Sequence, residues 1–171
     1  MKAFKKVTIQ DIKKATEDWS IEITPVAATK IENFADYLPL NTTVNVTCLP
    51  GSDPIDTIQT AEQLNNDGMN AVPHLAARSL VDQLELDNLL KELVSRASVN
   101  EVLIIGGGGN KQIGEFSDSI SVLRTGLLQK HGITKVGVAG HPEGSTDISD
   151  ERLKTALLEK NELAKTEGLN M

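Results

Sequence analysis

Five times in succession, a short apolar run is followed by a longer stretch with helical spacing, and the links between them are short. This alternation constrains the fold more than any other feature of the chain. Consecutive strands that each feed a helix must run parallel, because a helical crossover returns the chain to the same end of the sheet. The spacing predicts a first helix from Thr8, with Asp11 completing a capping box, to just before Asp18-Trp19. A strand at 21–24, a short helix at 30–37 and a strand at 43–47 follow. Asp53-Pro54 reads as a cap with proline in the first helical position, and Gly68 as the stop. Next come a strand at 70–73 and a helix at 80–96, opened by a capping box of Ser79 and Asp82. A strand at Glu101–Ile105, a helix at 119–130 and a strand at 135–139 complete the series. Ser149 opens a last helix that ends near Gly168.

The reading is a single α/β domain over 1–171, either an open sheet or a partial (β/α) barrel. Five βα units cannot close an eight-stranded barrel of the TIM type, so the barrel reading is an incomplete one. The sequence stops at Leu169-Asn170-Met171, where a sixth strand is due. An open edge there is an aggregation hazard unless something covers it. A homo-oligomer, or a partner chain that supplies the remaining strands, is therefore expected.

At 171 residues, with 39% hydrophobic and 24% charged side chains, the chain can bury a substantial core. A net charge of −7 argues against a nucleic-acid partner, since phosphates require clustered Lys and Arg. Lys2, Lys5, Lys6, Lys13 and Lys14 read as the solvated face of the first helix. No apolar run approaches the ~20 residues of a membrane span. The N-terminus lacks an apolar signal core, so a cytoplasmic location is expected. The lone cysteine, Cys48, excludes an internal disulfide and a Cys-based zinc cluster. No histidine pair stands at metal-ligand spacing, and no metal is expected.

Polar groups recur at the strand ends, where α/β folds hold their ligands. Glu22 lies between Ile21 and Ile23, so alternation turns it to the other face. Inside a barrel it would be desolvated and able to act as a general acid. A solvated edge glutamate is the alternative. Thr47 and Cys48 close the second strand, and Thr47 can donate to a ligand heteroatom. His74 follows Pro73 at the end of the third strand and can give or accept a hydrogen bond. Gly106, Gly107 and Gly108 follow the fourth strand, where bare backbone can approach a ligand closely. The run is no P-loop, because Lys111 lacks a preceding Gly and a following Ser or Thr. His141 ends the fifth strand in a rigid Pro142–Gly144 turn. Lys160 could reach a phosphate, although an exposed helix lysine is the simpler reading.

In order and spacing, residues 20–160 resemble the methylenetetrahydrofolate reductase family. Ile21-Glu22-Ile23-Thr24-Pro25 stands where that family has a Phe-Glu-Phe-Phe-Pro-like run. Val46-Thr47-Cys48 stands for Val-Thr-Tyr, and Ala71-Val72-Pro73-His74-Leu75 for Ala-Pro-His-Leu. Gly140-His141-Pro142-Glu143-Gly144-Ser145 stands for Ala-Tyr-Pro-Glu-Gly-His. The resemblance implies a flavoprotein (β/α) barrel that carries FAD and takes hydride from NADH or NADPH. It implies reduction of 5,10-methylenetetrahydrofolate to 5-methyltetrahydrofolate, in one-carbon and methionine metabolism. By that likeness Glu22 is the acid that opens the methylene bridge. Thr47, Cys48, His74, Gly106, Gly107, Gly108 and His141 line the flavin, and Lys160 sits near its phosphates. Two departures stand out. Gly108 occupies the position of the family's aspartate, and the sequence stops before the strand that carries a folate-binding glutamine. A non-catalytic folate- or flavin-binding relative, completed by a partner chain, is the alternative reading.

Overall fold

A computed structural model describes residues 7–107 and 112–171. The helix α1 (Ile9–Ala15) precedes β1 (Ser20–Ile23) and α2 (Pro25–Ala28). Then follow β2 (Thr43–Val46), α3 (Pro54–Asn66), β3 (Asn70–Ala76) and α4 (Gln83–Ala97). The series closes with β4 (Glu101–Ile105), α5 (Ser119–Leu123), α6 (Leu127–Lys130), β5 (Lys135–Val138) and α7 (Asp150–Thr166). The five strands form one parallel sheet in sequential order, β1-β2-β3-β4-β5. Crossovers that all step the same way, with one handedness, place their helices on one face of the sheet. The α/β class and the repeated βα unit are thus observed; five strands do not establish a barrel.

Alternation sorts the strands between the two faces. Val44, Val46, Ala71, Leu75, Val102, Ile104 and Val136 belong to the buried core shared with the helices. Helices α3 and α4 meet it along stripes at helical spacing: Thr57, Ile58, Ala61 and Leu64 on one, Leu86, Leu89, Leu90, Leu93 and Ala97 on the other. A fully buried Leu stabilises the fold by about 1.5–3 kcal/mol relative to an exposed one. Arg96 of α4 also donates to Glu62 of α3, joining the two helices at their half-exposed edge.

Several boundaries depart from the sequence expectation. Thr8 and Asp11 do form the capping box of α1. At 30–37 there is no single helix: α2 starts earlier, at Pro25, and Phe34–Asp36 makes one 3₁₀ turn. Thr24 caps α2, with Pro25 in its first turn, so the segment read as a strand end opens a helix. Asp82, not Ser79, caps α4, accepting from the Glu85 N–H at 2.8 Å, while Ser79 closes a 3₁₀ turn. The stretch 119–130 is broken in two at Gly126, whose φ of 69° no helix accommodates. Ser149 holds the cap position of α7 without a side-chain bond. Strand β3 runs on through Pro73 to Ala76, so His74 lies within it rather than at its end.

Pro73 lacks the N–H that a central strand ordinarily donates. The ladder accommodates this by changing partner there. Residues Asn70 to Pro73 are in register with β2, and His74 to Ala76 with β4. At the far edge, Asn170 bridges Lys135 in parallel. Its N–H donates to Thr134 O at 2.8 Å, and Val136 N–H donates to its carbonyl at 2.9 Å. Asn170 thus makes one parallel bridge along the outer edge of β5.

Candidate functional site

The face opposite the helices carries the alternate residues of each strand. Glu22 is in register with Asn45 of β2, and His74 with Leu103 of β4, which is itself opposite Gly137 of β5. Thr47 follows β2 directly, its N–H donating to Ile23 O at 2.9 Å and prolonging the ladder. Three residues singled out from sequence meet here. The Thr47 hydroxyl donates to Glu22 Oε1 at 2.8 Å, and Glu22 Oε2 lies 3.9 Å from His74 Nε2. Glu22 therefore stands between a hydroxyl and an imidazole contributed by two neighbouring strands.

The two ends of this cluster differ sharply in solvation. His74 is 7% exposed, whereas the Glu22 side chain is 58% exposed. Of the two readings of Glu22, the solvated edge glutamate is the one observed, because β1 is an edge strand with three of its four residues in solvent. Burial instead falls on His74, whose Nε2 is sealed from solvent and has no hydrogen-bond partner among the described residues. A buried polar atom left unpaired costs about 1–3 kcal/mol, which makes it a marker of strain or of a missing ligand. Burial also holds the imidazole below the ordinary histidine value of 6.5, with the Glu22 carboxylate opposing the shift.

The sign of the resulting pH dependence follows from linkage. The folded state resists a proton that the unfolded chain accepts below 6.5, so stability falls as pH drops from 6.5 through the lower folded-state value. His74→Gln is expected to flatten this acid loss, and Glu22→Gln to steepen it by removing the opposing charge. Urea titrations at stepped pH read both slopes. Parallel curves for wild type and His74→Gln would show that other groups carry the acid response.

The remaining candidates spread over the same end of the sheet. Burial pushes the Cys48 thiol up, partly offset by a hydrogen bond from the Ala76 backbone. This describes an inert thiol rather than a nucleophile. Gly106 accepts from the Arg78 N–H at 3.0 Å, and Gly107 has φ of 98°, a left-handed backbone that favours glycine. A Cβ on Gly107 would lie 3.4 Å from Ala76 Cβ, so the strand end packs closely there. Gly108 lies outside the described residues. His141 has φ of 48° and is exposed, lining a groove with Glu143 and Lys154 against the first turns of α7. No hydrogen bond or ion pair among the described residues joins it to Glu22, Thr47 or His74.

Lys160 overturns the reading of an exposed helix lysine. It is 7% exposed, and burial pushes its ammonium down while the Asp118 carboxylate opposes the shift. Asp118 is the cap of α5, so Lys160 belongs to the packing of α7 on α5.

Two residues near the strand ends escaped sequence reasoning. Asn45 shares a face with Glu22 as its register partner, and the alternation around Val44 and Val46 was the available signal. Arg78, just beyond β3, links two loops: its N–H donates to Gly106 O and its carbonyl accepts from Ile113 at 2.9 Å. Among the described residues no group of three or more His, Cys, Asp or Glu could hold a metal ion, and no helix is long and apolar enough to cross a membrane. No family model matches the chain.

Proposed function

We propose that the face opposite the helices binds a flavin, and that the chain is a relative of methylenetetrahydrofolate reductase acting as a flavin-dependent oxidoreductase. The observation that carries this reading is the sealed Nε2 of His74, without a hydrogen-bond partner among the described residues, beside Thr47 and Glu22. A heterocycle edge rich in acceptors and donors would satisfy such an atom. Gly106, with nothing within 4 Å of where a Cβ would stand, leaves room for a ligand near the same strand ends. His74, Thr47 and Gly106 therefore suit the polar edge of a flavin. Lys160 fits less well as a phosphate ligand, because it is buried between α5 and α7.

Bound FAD would supply hydride transfer, with NAD(P)H as donor and a methylene-folate as acceptor. The chain's own residues would divide the other tasks. His74 would fix the ring edge through Nε2. Thr47 holds Glu22 by Oε1, leaving Oε2 to carry a proton toward a substrate amine. The exposure of Glu22 favours a second reading, a flavin- or folate-binding relative in which a partner chain must cover β1 before Glu22 is desolvated.

Titration of the protein with FAD, followed by its visible absorbance and by thermal shift, tests the proposal. Saturable binding with a stabilised fold is expected. His74→Leu should weaken it about tenfold or more, as expected when a buried hydrogen bond of ~1.5 kcal/mol is removed. Glu22→Gln should leave flavin binding intact and abolish folate reduction. Absence of any FAD effect on wild type would sink the flavin reading.

A further inference from the structure

The two edges of the sheet are not alike. Along β5, Asn170 bridges Lys135 and bonds with Thr134 and Val136, so part of that edge is already engaged. β1 has no such cover. Ser20, Ile21 and Glu22 are exposed; Ile21 keeps 43% of its surface in solvent, and Trp19, directly before the strand, 44%. Edge strands are commonly blunted by lysine, proline or a bulge. β1 holds neither residue, and its one-to-one register with β2 has no bulge.

The ladder fixes which groups of β1 are free. Ile23 O accepts from the Thr47 N–H, so Ile21 and Ile23 turn their backbone groups to β2. Those of Ser20 and Glu22 alternate outward, and among the described residues no turn or loop bond reaches them. An extended strand is what fits such an edge.

A second β1, running antiparallel, meets it with the same groups. Only registers that set outward residues opposite one another can pair. One sets Glu22 against Glu22 of the second copy, and like charges directly opposite are unfavourable. Another sets Ser20 against Ser20 and leaves Glu22 facing Asp18, an acid that has left strand geometry with φ of 54°. The register centred on Ile21 avoids both. It pairs Ser20 with Glu22 in each direction and sets each Trp19 opposite an Ile23. The two Ile21 side chains meet at the close position without hydrogen bonds.

We infer that β1 pairs antiparallel with β1 of a second copy across a two-fold axis at Ile21, joining the two sheets into one. Both Glu22 clusters then lie on one continuous face, and Ser20 of each copy stands beside the exposed Glu22 of the other. The contact is the same patch on both copies, so the assembly closes at two chains. It is short, so the dimer is weak and reversible. The inference does not depend on the flavin reading.

Sedimentation velocity and amide exchange on the full chain, from micromolar to near-millimolar concentration, test it. The mass should rise toward two chains, and the Ser20 and Glu22 amides should become protected as it does. Ser20→Pro removes one outward N–H and none that faces β2. It should lower the association about tenfold or more and leave circular dichroism unchanged. Ile21→Lys and Ile21→Glu each set like charges face to face on the axis and should do the same. Mixed in equal amounts, these two variants set opposite charges there and should associate more tightly than either alone. A chain that stays monomeric throughout overturns the inference. So does a dimer that survives Ser20→Pro, which places the contact elsewhere. A mixture no tighter than its components takes Ile21 off the axis and overturns it as well.

Discussion

Leu90→Ala is expected to lower the unfolding free energy by about 2–5 kcal/mol, the range for a large-to-small change in a packed core. Leu90 is fully buried, in the stripe by which α4 covers the sheet, between Leu86, Leu93 and the core of β3 and β4. Its neighbours belong to regular elements held on several sides, so the site cannot collapse to fill the gap. For a chain of this length the melting temperature should fall by about 5–15 °C. Leu84→Ala, on the same helix but 67% exposed, should change it little. Thermal denaturation of the pair reads the contrast. Equal effects would mean that α4 presents a different face to the sheet.

The second large effect is expected at Gly114. A Cβ there would sit 1.9 Å from Val81 O and 2.3 Å from two more backbone atoms, none of which can swing aside as a side-chain tip would. The segment is held in place on both sides of the glycine. Ile113 donates to Arg78 O and Glu115 to Val81 O, each at 2.9 Å. Gly114→Ala must therefore part these strands of loop, at a cost of about 3 kcal/mol. Gly126→Ala makes the informative comparison. It has a left-handed φ of 69° but nothing within 4 Å, so only the backbone penalty of about 1–2 kcal/mol applies. Chemical denaturation should rank Gly114→Ala well below Gly126→Ala. The reverse order would show that the 113–115 segment can lift away from Val81 freely.

The parts of the fold legible from sequence were those that local chemistry decides. Thr8 with Asp11, and Asp53 before Pro54, mark helix starts whatever surrounds them. The apolar run of β4 ends where glycines begin. Misreadings arose where tertiary context prevails. Pro73 looked like a strand end, but β3 is central and tolerates the missing donor by changing partner. The stretch 119–130 has the spacing of one helix, yet Gly126 divides it into two short ones. The grouping of Glu22, Thr47 and His74 was readable because period-two alternation fixes the face of each residue. Their solvation was not, since it depends on which strand is an edge. Lys160 shows the same limit, because only the packing of α5 on α7 buries it.

The partition of the cluster between an edge and a central strand has a kinetic consequence. β3 is buried at every position after Asn70 and lies between β2 and β4, so its amides should exchange with solvent only when the whole domain unfolds. β1 is paired on one side alone, and its amides should exchange by local opening. His74 and Glu22 thus stand on segments with different opening rates, although 3.9 Å separates their side chains. A ligand held by both would slow exchange in Ser20–Ile23 and leave the slowest amides of β3 at their global limit. Affinity in such a site is set as much by how long β1 stays closed as by the contacts made while it does.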